Sequence, residues 1–458
     1  MTKIVRIPSL TVLLATGLGI CAGCSQPGAP AGGQPADTEP PAQERLEQTV
    51  EPASPTPDSS GSSFDTNDST ATADPAADGT TRDITGTAVG LSSLVTANNK
   101  FGLELYRNLK ELPGNVFFSP HSIATAFTMS YGGASAETAS QMAHTLHLPA
   151  GNVHSAVADL DKILQPSSDS YELRIANRLW IQDGLSLLES YRQLTREFYG
   201  ADVTLLDFVG ATEDARQSIN LWVSNETNKK IPELIARNAI TTATRLVLTN
   251  AVYFKGTWLS QFDESVTRPA SFYGTNETSV PMMYQRADFP YMETESFQAV
   301  RLPYQGDKLS MLIILPRDRS GLGALEHGLD AGGIEELADS MHPVDMEIWL
   351  PRFSASSQFK LNEVLQDLGM NDAFSPSLAD FSGITGQKGL YITEAIHKAF
   401  VEVNEEGSEA AAATAVVMGI ESESRAVAFR ADHPFVFMIR DDRTGALLFF
   451  GRFVDPES

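Results

Sequence analysis

Cysteine is nearly absent from this chain: 458 residues contain 2, Cys21 and Cys24, both near the amino terminus. No disulfide can staple the remainder of the chain, so the folded part has to be stabilised by burial. Positive charge is scarce as well. Lys and Arg number 33 against 58 Asp and Glu, a formal net charge of −25. That balance offers no general attraction for polyanions, and no nucleic-acid partner is expected. Lys229-Lys230 reads as a solvated pair, with no dense basic cluster around it. Catalytic signatures are missing too. The chain has no Gly-x-Ser-x-Gly elbow, no His-Glu-x-x-His helix and no Gly-x-x-x-x-Gly-Lys loop. His144 and His147 could share a helix face, but no third ligand accompanies them, and a solvated or helix-end pair is the expected reading. No enzyme activity, metal or cofactor is expected.

What is present begins with an address. Lys3 and Arg6 precede a mostly apolar run from Leu10 to Ile20, followed by Cys21-Ala22-Gly23-Cys24. This resembles a bacterial lipoprotein signal, in which residues 1–23 are removed and Cys24 becomes the lipidated first residue. Cys21 stands where such signals usually carry Leu, which leaves an ordinary signal peptide with a chance cysteine as the alternative. The run is too short to read as a transmembrane helix. Residues 24–90 are crowded with Pro, Gly, Ser, Thr, Ala and Asp and cannot bury enough apolar surface to fold. They read as a tether of roughly 45 Å root-mean-square reach. The protein is therefore expected to be exported, as a cell-envelope lipoprotein or an extracellular protein, touching membrane only through the lipid.

The chain is 42% apolar, and its body, residues 91–458, is long enough for one large core. Phe101, Leu105 and Leu109 recur at helical spacing within Leu94 to Leu112. Asn115 to Phe118 reads as a short strand, and Ser119-Pro120-His121-Ser122 carries the start signals of a helix through Tyr131. Further helices are expected over 135–147, 190–199, 212–229 and 359–369. Strand-like runs are Arg245 to Phe254, Leu309 to Leu315, Val344 to Leu350, Ala399 to Val403, Phe435 to Arg440 and Ala446 to Phe453. The last two are apolar enough to be buried on both faces. Helices first and strands later predict an α+β fold.

One segment breaks the local rules. Within residues 404–421, four consecutive alanines favour helix while Thr414, Val416 and Val417 favour strand. Read with period two, Ser408, Ala410, Ala412, Thr414, Val416 and Met418 share one compact face, and Glu409 falls on the other. Such a stretch could slide between existing strands, with Gly407 as the hinge. Composition alone would favour an exposed helix or linker.

From about Leu94 to Pro456 the chain resembles the serpin family. Glu405-Glu406-Gly407-Ser408-Glu409-Ala410-Ala411-Ala412 is similar to the reactive-loop hinge of inhibitory serpins, which continues here through Ala413 and Thr414. Other matching stretches are Asn115 to Ile123, Thr249 to Trp258, Asp380 to Ile384, His397-Lys398-Ala399, His433 to Phe437 and Gly451 to Pro456. The resemblance implies three β-sheets, about eight to nine helices and an exposed reactive-centre loop. It also implies a monomer that inhibits serine or cysteine endopeptidases, held covalently after cleaving the loop, which then inserts into the central sheet. Ser119, Ser122, Asn250 and His397 match the family's polar cluster beneath that sheet. Trp258 matches the aromatic at the top of the opening, where Arg352 is expected to pair with Glu405. Family register puts the scissile bond at Glu421-Ser422, with Ile420-Glu421 as the alternative. A non-inhibitory binding protein on the same scaffold is the rival reading, and Ala410 to Ala413 speak against it, because such relatives tend to carry bulky or charged hinges.

Overall fold

The computed structural model describes residues 90–165, 171–408 and 426–456. The first half is mostly helical: α1 (Leu91–Leu109), α2 (Pro120–Tyr131), α3 (Ala136–Thr145), α4 (Val153–Leu164), α5 (Glu189–Tyr199) and α6 (Thr212–Glu226), with β1 (Val116–Phe118), β2 (Tyr171–Gln182) and β3 (Thr204–Leu206) between them. Strands dominate the second half: β4 (Leu246–Thr257), β5 (Arg268–Tyr273), β6 (Glu277–Glu293), β7 (Phe297–Pro303), β8 (Leu309–Pro316), β9 (His342–Pro351), β10 (Phe353–Lys360), β11 (Glu394–Val403), β12 (Gly407–Ser408), β13 (Val427–Arg430), β14 (Phe435–Asp441) and β15 (Leu447–Phe453). Among them lie α7 (Leu322–Gly328), α8 (Ala331–Ser340), α9 (Leu361–Asp367) and α10 (Ser382–Thr385). The class is α+β, as the order of elements predicts. Ten α-helices occur among the described residues, the surplus over eight or nine being the four-residue α10.

The strands form two hydrogen-bonded networks where three sheets are expected. One has the order β10-β11-β4-β2-β3, with β12 also on β4; the other runs β1-β15-β14-β8-β7-β6-β9-β13, with β5 on β6. The difference lies in β6. Its 17 residues pair with β5 and β9 along most of their length and with β7 at Tyr291–Glu293, so one strand carries the hydrogen bonding from the second expected sheet into the third.

Local signals account for the elements that hold the first sheet. Ser119 caps α2, its hydroxyl accepting the Ser122 N–H at 3.2 Å, and Pro120 takes the first helical position. Every residue of α2 from Pro120 to Ser130 is buried, because the helix lies under β2 and β4 and against β15. The outer face of the sheet is covered by α6, where Ile219 and Val223 pack with Trp180, Val247 and Ala251. The helix expected from residue 359 begins at Leu361, since Phe359 and Lys360 still pair with His397 and Ile396. β2 escapes the periodicity reading altogether: its apolar and polar residues alternate loosely, and from Tyr171 to Leu179 only the edge facing β4 is paired.

The core of the second network is aromatic. β14 and β15 are buried throughout, as expected, and Phe449 stacks on Phe117 with ring centres 5.1 Å apart and lies 5.8 Å from Phe254. Phe449→Ala should lower the unfolding free energy by about 3–5 kcal/mol, read from urea titration. A loss below about 1 kcal/mol would show that the stack relaxes around the deletion.

Candidate functional site

β4 is shared by three neighbours, and the arrangement at its end defines the site. β2 runs antiparallel along its whole length on one side. On the other, β11 runs parallel from Glu394↔Val247 to Phe400↔Tyr253, where the ladder stops. Beyond that point the chain turns back, and β12 pairs antiparallel with β4, Gly407 opposite Thr257 and Ser408 opposite Gly256. The hinge thus occupies the mouth between β4 and β11.

The turn into the mouth is held by backbone and aromatic groups. Trp258 Nε1–H donates to the Asn404 carbonyl at 2.9 Å, and its backbone N–H donates to the Glu406 carbonyl at 2.8 Å. The indole is buried and stacks on Tyr304 at 4.6 Å, and the Tyr304 hydroxyl bonds to Ser408 Oγ at 2.8 Å. Gly407 is at φ +154°, and a Cβ there would lie 1.9 Å from the Gly256 carbonyl oxygen. Its glycine is required as much by that close approach as by rotational freedom.

Arg352 and Glu405 pair as the sequence predicts, Nη2 to Oε1 at 2.6 Å, and the Thr267 hydroxyl donates to the same oxygen at 2.7 Å. Burial alone would raise the Glu405 carboxyl, but hydrogen bonds from Arg352 and Thr267 outweigh it and hold the group below the usual carboxylate range. Glu405 is 7% exposed and Arg352 38%, so the pair is half in solvent.

Midway down the sheet lies a polar row. His397, Asn250 and Asn177 are register partners on β11, β4 and β2. His397 Nδ1–H donates to Asn250 Oδ1, and His397 Nε2 accepts the Ser119 N–H at 3.2 Å, which fixes the neutral tautomer. Asn250 Nδ2 donates to Ser122 Oγ at 2.5 Å and to Asn177 Oδ1, while Asn177 Nδ2 donates to the Ser122 carbonyl at 3.2 Å. Ser119 Oγ–H donates to the Leu448 carbonyl at 2.6 Å, tying the row to β15. Burial pushes the His397 imidazole down to about 3.

The four polar residues expected beneath the sheet therefore come together, as do Trp258, Arg352 and Glu405 through Ser408 at its mouth. Asn177 and Tyr304 belong to the same arrangements and were not expected. No sequence signal sets either apart, since polar residues flank both, and only the folded arrangement reveals the partners. Glu409 to Thr414, the bonds Glu421-Ser422 and Ile420-Glu421, and Cys24 lie outside the described residues.

The row and the ion pair differ in how they answer to perturbation. A histidine whose pKa is about 3 when folded and about 6.5 when unfolded takes up its proton only on unfolding, so stability falls as pH drops below 6.5, by up to about 1.4 kcal/mol per pH unit. The wild-type thermal midpoint should therefore fall faster than that of His397→Gln between pH 6.5 and 4.5; parallel curves would refute the assignment. Glu405→Gln should loosen the mouth of the sheet and raise amide exchange at Trp258 and Phe262, whose N–H groups bond to the Glu406 and Glu405 carbonyls. Unchanged protection at both amides would mean that the backbone turn holds without the ion pair.

Comparison with known proteins agrees with this geometry. A family model described as Serpin (serine protease inhibitor) matches residues 96–456. An uncharacterized serpin-like protein of Thermococcus kodakarensis is 42% identical over 371 residues, 80% of this chain and 86% of the relative. The leukocyte elastase inhibitor of Homo sapiens is 39% identical, with 80% of this chain and 100% of the relative covered. Among solved structures, uncleaved ovalbumin superposes with a TM-score of 0.74 at 33% identity, covering 80% of this chain and 100% of that one. Human thyroxine-binding globulin complexed with thyroxine gives 0.73 at 28% identity, covering 80% and 99%. The chain belongs to the serpin family.

Proposed function

We propose that the protein inhibits serine or cysteine endopeptidases as a suicide substrate. The protease nucleophile attacks the Glu421 carbonyl, the peptide bond to Ser422 breaks, and the Ser422 amine leaves with a proton. The freed segment 407–421 then inserts between β4 and β11 before water can hydrolyse the acyl-enzyme, and the attached protease is dragged along and distorted. This chain supplies a scissile bond, a hinge and a sheet that can part; it supplies no catalytic group.

The observation that carries this reading is the pairing of Gly407 and Ser408 with β4 at the point where β11 leaves it. One-for-one continuation of that register would bring Thr414 opposite Asn250 and Met418 opposite Leu246, the first residue of β4. Twelve residues, Gly407 to Met418, would then match the 12 of β4, with Glu421 just past its end. Ser408 already points inward to Tyr304. Residues 410, 412, 414, 416 and 418 would follow it on that face, and all are compact or apolar. The inserted strand would be antiparallel to β4 and to β11, replacing one parallel ladder by two antiparallel ones, which are slightly more stable per residue. Ile420-Glu421 is the alternative bond, suited to an elastase-like or subtilisin-like pocket; Glu421-Ser422 suits a protease that prefers an acid.

From the amino-terminal sequence we further propose that the protein is an exported monomer, anchored through lipid on Cys24, with residues 24–90 as the tether. A Cys24→Ala variant should lose incorporation of labelled fatty acid.

The test is incubation of the full chain with Glu-specific, elastase-like, subtilisin-like and trypsin-like proteases. A band near the summed masses that survives boiling in detergent is expected, with mass spectrometry locating the bond. Thr414→Arg, which would set a guanidinium against His397 and Asn250, should cut the yield of that band at least ~10-fold while cleavage continues, since burying an unpaired charge is costly. Cleavage with neither a covalent band nor a rise in thermal midpoint would favour a non-inhibitory binding protein.

A further inference from the structure

The turn that follows β13, Ala431 to Pro434, is a junction of strands. The Ala431 N–H donates to the Trp349 carbonyl of β9 at 2.9 Å, and the Asp432 carbonyl accepts the Tyr273 N–H of β5 at 2.7 Å. His433 is 6% exposed and leads into β14. Its Nε2 lies 2.7 Å from the Pro316 carbonyl oxygen at the end of β8, and its Nδ1 lies 2.7 Å from Asp432 Oδ1.

Both partners can only accept. A carbonyl has no proton to give, and Asp432 is a carboxylate: burial alone would raise it, but the His433 hydrogen bond and the charges of Arg319 and Arg430 hold it below the usual range. Each ring nitrogen therefore donates, and a ring with two N–H groups is an imidazolium. His397 differs, since one of its nitrogens donates and the other accepts. The charges around His433 come from three elements. Arg319, beyond β8, places Nη2 3.5 Å from Asp432 Oδ2 and its guanidinium carbon 3.4 Å from the centre of the Tyr273 ring. Arg430 ends β13 and stacks on Trp349 at 4.1 Å. Asp318 is held below the usual carboxylate range chiefly by the Ser320 N–H and hydroxyl, with the His433 charge adding to them. A proton on His433 is thus met by Asp432 and Asp318 and opposed by Arg319 and Arg430.

We propose that His433 is a proton-dependent clasp: protonated, it ties the turn after β13 to the end of β8, and on losing a proton it releases one of the two. A neutral ring would set a bare nitrogen against a carboxylate or a carbonyl, two acceptors face to face in a buried site. The sign is opposite to that of His397. This clasp holds at low pH and weakens as pH rises above the ordinary histidine range, ~6.5. It fixes the strand to which segment 409–425 returns, so under the inhibitory reading above alkaline pH would lower the yield of the covalent band. The clasp itself does not rest on that reading.

The test uses the full chain, labelled with nitrogen-15 at histidine, without protease. At pH ~7 the His433 signals, identified by their absence in His433→Gln, should show both ring nitrogens protonated. Amide protection at Tyr273 and Ala431, corrected for intrinsic exchange, should fall ~10-fold between pH ~6 and ~9. Asp432→Asn offers Nδ1 an amide donor, so a neutral ring can satisfy both bonds, and protection should stay level over the same range. The exchange measurement needs only the wild-type protein, so a variant that fails to fold does not block the test. A single protonated nitrogen at pH ~7, or wild-type protection that does not change with pH, would overturn the proposal.

Discussion

The parallel ladder between β4 and β11 is the joint on which the rest of this structure turns. Both strands are bound antiparallel to their other neighbours, β2 and β10, so the two halves of the sheet are firm within themselves. The joint between them is of the slanted, slightly weaker kind. At its end stands a hinge already paired with β4 through two residues. A sheet built this way has a designated line of parting.

What keeps the line closed is a polar row in an apolar setting. Buried amides and imidazoles are costly unless satisfied, and here Asn250, Asn177, His397, Ser119 and Ser122 satisfy one another across three strands and a helix start. Such bonds act over a short range and break together. They resist small shear of the sheet and give little once it opens, which suits a barrier better than a deep well. Ser119 shows how economical the arrangement is: it caps α2 and anchors on β15 through its side chain while its backbone N–H holds the histidine.

Much of the site was legible in the sequence because its signals are local. Ser119-Pro120 announces a helix start, the alternation from Ser408 onward announces a strand without a partner, and Gly407 announces a special backbone. Asn177 and Tyr304 were illegible for the opposite reason. Each acts through a residue far along the chain, Asn250 and Ser408, brought near only by sheet register. Boundaries failed where one element runs into another: β10 carries on through Lys360 where a helix was expected, and β6 spans two expected sheets. β2 was missed because a strand with a bare edge, set over a cavity, has no need of strict alternation.

The lack of cysteine in the folded body leaves a background free of thiols. A pair of cysteines substituted at one rung of the β4–β11 ladder could form a bond only while the strands are in register, and nothing else in the body would compete for oxidant. The oxidised and reduced forms would then separate the mechanical state of the sheet from every other property of the molecule. A body without cysteine is in this respect unusually easy to question by chemistry.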